Sequence, residues 1–299
     1  MKHTIFKSSD TNVSKFVFEG EDIAVEAVLY RYNSYKDRTV ICCSTQCGCP
    51  VGCVFCGTGK FFVRNLSTTE IVEQVDTVLQ YIDCKTSEIN KFQIMFMSMG
   101  DPFLNFSKVY SAINILNEKY PNAQLLISTS APLNSTSRNF DMFLRLSKRI
   151  NKVGIQFSVH ESNDFDRSKL IPTLTSSLTS IGMLGERFAQ VTGRKPFFNY
   201  CVHENNSSDL NVKQLLKQFD PSVWECTLSV ICEKDCTMQN AINNKLDLIK
   251  TFSDKMINAG YSIRIFNPSG QDDIGGGCGQ LWFFQEWLNK RENVKSDKD

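Results

Sequence analysis

Apolar and polar positions alternate near the start of the chain, as they do in paired β-strands. Phe16 and Phe18 lie before a polar turn at residues 19–22, and apolar residues recur at every second position from Ile23 to Leu29 after it. Residues two apart share one face of a strand, so this alternation predicts a β-hairpin over residues 14–30.

From residue 39 onward, short apolar runs alternate with longer segments of helical period. The runs predict strands near residues 39–43, 93–99, 124–129, 154–159, 197–202, 226–231 and 261–266. The segments predict helices near residues 68–83, 106–119, 138–150, 174–190, 208–218 and 239–259. The first helix has the clearest signal, because Ser67 and Glu70 form a capping-box pattern. Six strand–helix units in a row indicate an α/β fold with a parallel sheet, either an open wound sheet or a partial barrel.

No linker-like stretch interrupts these units, which favours one catalytic domain. We expect a β-hairpin extension at residues 1–38, a barrel at residues 39–290 and a charged tail at residues 291–299. The first residues lack the apolar core of a signal peptide, and no apolar run is long enough to span a membrane. We therefore expect a cytoplasmic protein without membrane contact, and a monomer.

The charge balance limits how the chain can meet a nucleic acid. The 299 residues include 33 Lys and Arg against 32 Asp and Glu, so a formal net charge of +1 provides no overall cationic field. Binding to a nucleic acid would need a local patch of positive charge. The candidates for such a patch, at one rim of the barrel mouth, are Lys60, Arg64, Arg194 and Lys195. A solvated surface is the alternative interpretation of these residues.

Twelve cysteines in a reducing compartment point to metal or thiol chemistry. Cys49, Cys53 and Cys56 lie on the loop after the first strand of the parallel series. Three such thiolates can hold three irons of a [4Fe–4S] cluster and leave the fourth iron open. The alternatives are free thiols or zinc, but zinc would need a fourth ligand, and no histidine lies on this loop. We interpret the following cysteines as packing thiols: Cys43, Cys47, Cys84, Cys201, Cys226, Cys232 and Cys236.

Glycines and polar residues follow several strands, at the end where a barrel places its active site. Gly100 permits close approach of the backbone, and the Asp101 carboxylate could take a ligand's amino group. Ser128 and the run Ser158–His160 end later strands. A plain turn at Gly100 and a buried histidine satisfied by the backbone are the alternatives.

The triplet C-x3-C-x-aromatic-C after the first strand of a parallel barrel resembles the radical S-adenosylmethionine (SAM) superfamily. From about residue 20 to residue 281 the chain is similar to one branch, the RlmN/Cfr family of ribosomal-RNA adenosine methylating enzymes. Met99–Pro102 resembles M-G-E-P, and residues 272–281 resemble the diagnostic D-D-I-x-x-x-C-G-Q-L. The resemblance implies a partial (β/α)6 TIM-like radical SAM barrel with a [4Fe–4S] cluster. It also implies SAM contacts from Gly100, Asp101, Ser128, Ser158, Val159 and His160.

The resemblance further implies methyl transfer through two thiols. Cys278, which follows Gly275-Gly276-Gly277, would accept a methyl group from one SAM, and a second SAM would supply the radical that activates this methyl. Cys42, seven residues before Cys49, would then release the product and leave a disulfide with Cys278. Glu26 resembles the carboxylate of the family's V-E-T-V stretch and would remove the proton. An exposed strand glutamate is the alternative interpretation of Glu26.

Two departures from the family pattern bear on the substrate. Asp101 stands where the family has a glutamate, and family-like sequence begins almost at the first residue, so the family's small RNA-gripping N-terminal domain is expected to be absent. RNA adenosine, methylated at carbon 2 or carbon 8, is the expected substrate, and a flavodoxin- or ferredoxin-like protein is the expected electron donor. A peptide, nucleotide or small metabolite is the alternative substrate. A non-catalytic iron–sulfur protein is the alternative class.

Overall fold

The computed structural model describes residues 1–59, 61–230, 238–266 and 274–277. Within these ranges the chain forms twelve β-strands: β1 (Lys2–Lys7), β2 (Val13–Glu19), β3 (Ala24–Tyr32), β4 (Arg38–Cys43), β5 (Gln46–Gly48), β6 (Phe62–Asn65), β7 (Lys91–Phe96), β8 (Gln124–Thr129), β9 (Val153–Ser158), β10 (Phe197–Val202), β11 (Glu225–Val230) and β12 (Ser262–Ile265). The same ranges hold seven α-helices: α1 (Thr68–Tyr81), α2 (Phe106–Lys119), α3 (Leu133–Arg149), α4 (Asp164–Leu170), α5 (Leu178–Thr192), α6 (Asp209–Gln218) and α7 (Met238–Asn258).

Ten of the strands form one continuous sheet, in the order β1-β2-β3-β4-β7-β8-β9-β10-β11-β12. Strands β1 to β4 pair antiparallel, and every pairing from β4 to β12 is parallel. The sheet curls until the ring of Tyr30 on β3 meets the ring of Phe266, which follows β12, edge to face with 5.8 Å between centroids. The strands near the two ends of the sheet therefore approach each other and enclose an interior space, as expected of a partial barrel.

Strands β5 and β6 form a separate two-stranded antiparallel sheet. They follow β4 directly and precede α1, so they replace a simple strand-to-helix connection. Gln46 pairs with Asn65, and the chain between the two strands returns as a loop that carries Cys49, Cys53 and Cys56. This small sheet ties down both ends of the cysteine loop.

Helix α1 shows how a local pattern directs packing. The Ser67 hydroxyl accepts a hydrogen bond from the Glu70 amide, and the Glu70 carboxylate accepts one from the Ser67 amide, so the expected capping box is formed. Its apolar face joins the hydrophobic core through Ile71, Val72, Val75 and Val78. Burial of this face supplies most of the helix's stability, since short helices are marginal on propensity alone.

All seven strands expected from the apolar runs are present, and the predicted hairpin corresponds to β2 and β3. These N-terminal strands join the same sheet and core as the barrel. Strands β1, β5 and β6 and helix α4 were not predicted, because β5, β6 and α4 are short and because β1 and β6 are largely exposed. Helix α5 begins at Leu178 rather than near residue 174, because the Ser177 hydroxyl caps its first turn.

Replacing Gly185 with alanine should destabilise the fold, although alanine favours helix. Gly185 lies within α5, and a Cβ atom there would lie 1.9 Å from Cζ2 of the buried Trp224. Overpacking costs about 1–3 kcal/mol or more, which exceeds the gain of about 1 kcal/mol in helix propensity. Urea denaturation should show a lower unfolding free energy. Met183→Ala, at a 66% exposed position of the same helix, is the control. Equal stability of Gly185→Ala and the parent would contradict this packing.

Candidate active site

A cavity of about 540 Å³ lies inside the curled sheet. Its walls come from the inner faces of β3, β4 and β7 to β12, and loops at the carboxyl ends of the parallel strands form its mouth. Its volume is typical of a site for a small molecule or cofactor. Most of the expected site residues line it: Cys42, Cys49, Cys53, Cys56, Gly100, Asp101, Ser128, Ser158 and His160.

The three-cysteine loop is held in place by backbone hydrogen bonds. The Cys49 amide donates to the Phe61 carbonyl at 2.8 Å, and the Val54 amide donates to the Leu170 carbonyl at 3.0 Å. The Cys56 amide closes a turn on the Cys53 carbonyl at 3.1 Å. All three cysteines are partly exposed thiols, and burial raises the pKa of the Cys49 thiol to about 12. The loop thus presents three thiols to the cavity.

These thiols fit a cluster better than a single metal ion. In the part of the chain that the structure describes, no three His, Cys, Asp or Glu side chains are grouped so that they could hold one ion. Thiolates on a four-iron cluster each bind a different iron, so they lie farther apart than the ligands of one ion. Since a structural zinc site normally has four ligands, the three-thiol set favours an iron–sulfur cluster over zinc.

The Asp101 carboxylate joins the ends of two neighbouring strands. It accepts hydrogen bonds from the hydroxyls of Thr129 and Ser130 and from the amides of Ser130 and Phe103, all at 2.8–3.0 Å. Burial raises the pKa of Asp101, and these hydrogen bonds oppose the rise. Both carboxylate oxygens are already engaged within the protein. Asp101 therefore braces the cavity wall, a role that the sequence did not indicate.

Gly100 permits a close approach between two loops. Its φ is +86°, in the left-handed region that favours glycine. A Cβ atom here would lie 2.5 Å from Cβ of Gln46, whose Oε1 accepts a hydrogen bond from the Asp101 amide at 2.9 Å. The absence of a side chain thus lets the cysteine-bearing segment pack against the end of β7.

His160 is buried at the mouth of the cavity in a neutral form. Burial, followed by the positive charge of Arg167, lowers its pKa to about 3. Its Nδ1 accepts a hydrogen bond from the Cys201 amide at 3.3 Å, which places the ring hydrogen on Nε2. The ring meets Phe55 of the cysteine loop edge to face at 5.3 Å. His160 therefore links the cysteine loop to the strand ends and presents a neutral N–H donor.

Arg167 is a residue to which sequence reasoning gave no role at the site. Its buried guanidinium donates to the carbonyls of Ser130 and Ser158 at 2.8 and 2.9 Å and to the Thr175 hydroxyl at 2.6 Å. Burial lowers its pKa to about 10. Val159, beside Ser158, is fully buried and is not among the residues that form the cavity wall. The only signal of Arg167 in the sequence was its position shortly after the Ser158–His160 run.

Cys42 and Glu26 lie on one face of the N-terminal strands. Cys42 on β4 is the register partner of Val28 on β3, and Glu26 is two residues from Val28, so the two side chains share this face. Cys42 and Val28 line the cavity, and Glu26 is the next residue on this face of β3. The Glu26 side chain is 1% exposed and forms an ion pair with Lys15 at 3.1 Å. The alternative interpretation of Glu26 as an exposed strand residue is therefore wrong.

The segment that leads to Cys278 contacts the same face. Gly276 and Gly277 line the cavity, and Gly277 is bonded directly to Cys278. Cys278 itself, with residues 272–273 and 279–281 of the motif, lies outside the described residues.

Of the four basic residues expected at one rim of the mouth, Arg194 and Lys195 lie at the opposite end of the strands. Arg64 binds Asp22 and Glu70 at 2.9 and 2.7 Å. Arg194 and Lys195 line a second cavity of about 350 Å³ at the amino ends of the strands. Lys60 lies outside the described residues. The expectation is wrong because Arg194 and Lys195 precede β10, whereas the mouth lies where the strands end.

Comparisons with known proteins find relatives over most of the chain. The dual-specificity RNA methyltransferase RlmN of Vesicomyosocius okutanii is 31% identical over 283 residues, which cover 93% of this chain and 76% of that protein. The RlmN of Helicobacter hepaticus is 30% identical, with 95% and 76% covered. A radical SAM methyltransferase from Sphaerobacter thermophilus superimposes with a TM-score of 0.74 at 26% identity, with 93% and 80% covered. No protein-family model matches the chain.

The fold and its relatives define a radical SAM methyltransferase, a class that implies the use of SAM and an iron–sulfur cluster. Within that class, the chain belongs to the RlmN family of dual-specificity RNA methyltransferases. The resemblance indicated by the cysteine spacing and the motifs is thereby confirmed. No helix within the described ranges is long and apolar enough to cross a membrane.

Acidification should destabilise the protein through His160. Its pKa is about 3 in the folded chain against an ordinary 6.5, so between these values the unfolded chain binds a proton that the folded chain does not. The unfolding free energy should fall as the pH drops below about 6.5, by up to about 1.4 kcal/mol per pH unit from this group. Urea denaturation at pH 7, 6 and 5 would measure the slope.

His160→Asn should lose this part of the slope, and asparagine tolerates the φ of 60° at this position. His3→Asn, at an exposed position, should keep the full slope and serves as the control. The same slope in His160→Asn and in the parent would contradict a buried neutral imidazole.

Proposed function

We propose that this enzyme methylates an sp2 carbon of adenosine in RNA, at carbon 2 or carbon 8, through a methylated Cys278. One observation carries the proposal: the three-cysteine loop, Cys42 and the glycines that lead into Cys278 all border one cavity. A scaffold that only held a cluster would need neither additional thiol. The RNA substrate is supported by the names of the relatives, which are RNA methyltransferases.

Cys49, Cys53 and Cys56 would hold a [4Fe–4S] cluster, and SAM would occupy the adjoining part of the cavity. Gly100, Ser128 and Ser158 border that space, and so does His160, whose ring hydrogen is on Nε2. Together the cluster and SAM supply a methyl group and a one-electron route to a carbon that is not a nucleophile. Asp101 and Arg167 keep these strand ends in place, and Val159 supports them from the core.

The thiols of Cys278 and Cys42 and the Glu26 carboxylate would carry out the steps that follow. The Cys278 thiol would take the methyl group. One hydrogen atom of this methyl group would leave to a radical derived from SAM, the remaining CH2 would link the sulfur to the substrate carbon, and the surplus electron would return to the cluster. Glu26 removes the proton from that carbon, and Lys15 supplies the opposite charge that a buried carboxylate needs. Cys42 would attack the Cys278 sulfur and form a disulfide with it. The bond between that sulfur and the CH2 group would break, and the CH2 group would leave with the electron pair and take up a proton to give the methylated product. The position of Cys42 on the cavity wall supports this role.

The cysteine loop is also where electrons would enter. Val54 on this loop is 59% exposed, so the thiols lie close to the protein surface. We infer that a flavodoxin- or ferredoxin-like protein reduces the cluster from this side. We further propose that the enzyme acts as a monomer in the cytoplasm, where reducing conditions keep its cysteines as thiols.

Loss of any one cluster cysteine should remove the iron. Anaerobic reconstitution of the parent should give about four irons and four sulfides per chain, since three thiolates with one open iron define a [4Fe–4S] site. Cys49→Ala, Cys53→Ala and Cys56→Ala should each lose the brown chromophore. Cys84→Ala, which changes a partly exposed cysteine outside the cavity, is the control and should keep it. One zinc per parent chain would contradict the cluster.

The two other thiols should be separable by what each variant accumulates. With methyl-labelled SAM and total RNA, the parent should place label in methyladenosine. Cys278→Ala should lower this product about 10³-fold or more, because it removes the methyl-accepting nucleophile, and should still form 5′-deoxyadenosine. Cys42→Ala should accumulate a covalent adduct between Cys278 and RNA, which gel electrophoresis and mass spectrometry would detect.

Cys84→Ala again serves as the control and should match the parent. Full activity in both Cys42→Ala and Cys278→Ala would contradict the two-thiol mechanism. Label found only in peptides, nucleotides or small metabolites would contradict the RNA substrate.

A further inference from the structure

Two side chains of the N-terminal strands hold the backbone of the glycine segment. The Lys15 ammonium on β2 donates to the Gly275 carbonyl at 3.2 Å, and the Tyr30 hydroxyl on β3 donates to the Gly276 carbonyl at 2.5 Å. Lys15 and Tyr30 are separated from these glycines by 260 and 246 positions in the sequence. The contacts therefore join the first strands of the fold to the end of the described chain.

The two donors act from adjacent strands and from one face. Lys15 is the register partner of Val28, and Tyr30 is two residues from Val28, so both side chains point to the cavity side of the sheet. Both are buried, at 0% and 3% exposure. Donors that bind consecutive carbonyls fix the orientation of the segment as well as its position, because rotation about one contact would break the other.

Lys15 has a second partner on the same face. Its ammonium lies 3.1 Å from Oε2 of Glu26, so one cation contacts both the Glu26 carboxylate and the Gly275 carbonyl. A buried ion pair is favourable only when further hydrogen bonds satisfy its remaining donors, and the Gly275 carbonyl meets part of that need. The position of the glycine segment is thereby coupled to the position of Glu26.

The composition of the segment explains why such contacts are needed. Gly275, Gly276 and Gly277 have no side chains to pack, and Gly275 has a φ of +56°. Glycine loses more conformational freedom on ordering than any other residue. Only the backbone can hold this segment, and its carbonyls are the groups that Lys15 and Tyr30 bind.

We propose that Lys15 and Tyr30 are positioning residues that hold the glycine segment against β2 and β3, and so control the reactivity of the Cys278 thiol that follows this segment. The consequence for catalysis rests on the proposed role of Cys278 as methyl carrier. The contacts themselves do not depend on that role. Positioning predicts that loss of the Tyr30 hydroxyl changes the reactivity of the Cys278 thiol, which is 248 positions away in the sequence.

Tyr30→Phe tests the proposal, since it removes only the hydroxyl and keeps the ring that packs on Phe266. The matched control is Tyr261→Phe, which removes another buried tyrosine hydroxyl bonded to a backbone carbonyl, that of Phe219. In the full chain without cluster or SAM, iodoacetamide alkylation of each cysteine would be followed by mass spectrometry. We expect the Cys278 rate to rise about tenfold in Tyr30→Phe, the factor that corresponds to about 1.4 kcal/mol for one lost hydrogen bond.

The rate for Cys84 should be unchanged in every variant, and Tyr261→Phe should match the parent at Cys278. In the reconstituted enzyme, Tyr30→Phe should slow methylation of Cys278 about tenfold while 5′-deoxyadenosine formation stays near the parent rate. Equal Cys278 alkylation in Tyr30→Phe, Tyr261→Phe and the parent would overturn the proposal.

Lys15→Met provides a second variant, and we expect faster Cys278 alkylation there as well. If this variant does not fold, because it leaves Glu26 buried without its partner, Tyr30→Phe still decides the question. The two proposals fail in different ways. A parent Cys278 that never carries a methyl group would refute the proposed function, whereas faster alkylation in Tyr30→Phe would still support the positioning contacts.

Discussion

Two buried charges hold the mouth of the cavity together. Asp101 accepts hydrogen bonds from Ser130 through both the amide and the hydroxyl, and Arg167 donates to the carbonyl of the same serine. Ser130 is thus held between an anion and a cation at the end of β8. Removing one member of such a network leaves an uncompensated buried charge, which typically costs about 3–5 kcal/mol. The loops that carry the site depend on this network.

The unusual backbone conformations of the site lie beside these two charges. Gly100 and Ala131 have positive φ and adjoin Asp101 and Ser130, and His160, also at positive φ, lies close enough to Arg167 for this charge to lower its pKa. A non-glycine residue in this region costs about 1–3 kcal/mol and persists only where its surroundings fix it. The charges therefore supply the constraint that lets the strand ends turn sharply and face the cavity.

The N-terminal strands complete the barrel as well as extend it. Antiparallel β2 and β3 continue the sheet beyond the first parallel strand, and the face they add carries Lys15, Glu26 and Tyr30. Cys42 lies on β4, where the antiparallel and parallel parts meet. Cys42 therefore lies between the cluster loop, which follows β4, and the face that carries Lys15, Glu26 and Tyr30.

The order of strands and helices and the class of chemistry could both be predicted from the sequence, because each depends on the spacing of residues that lie close together along the chain. The repeat of apolar residues along the chain predicted the strands and most helices, and the spacing of Cys49, Cys53 and Cys56 indicated the cluster. Only the tertiary structure decided which polar residues hold the fold and which stay available to a ligand. Asp101 is engaged by residues 28 and 29 positions away, and Lys15 by one 260 positions away. No local period encodes such contacts, since they form only when the sheet curls and brings distant strands together.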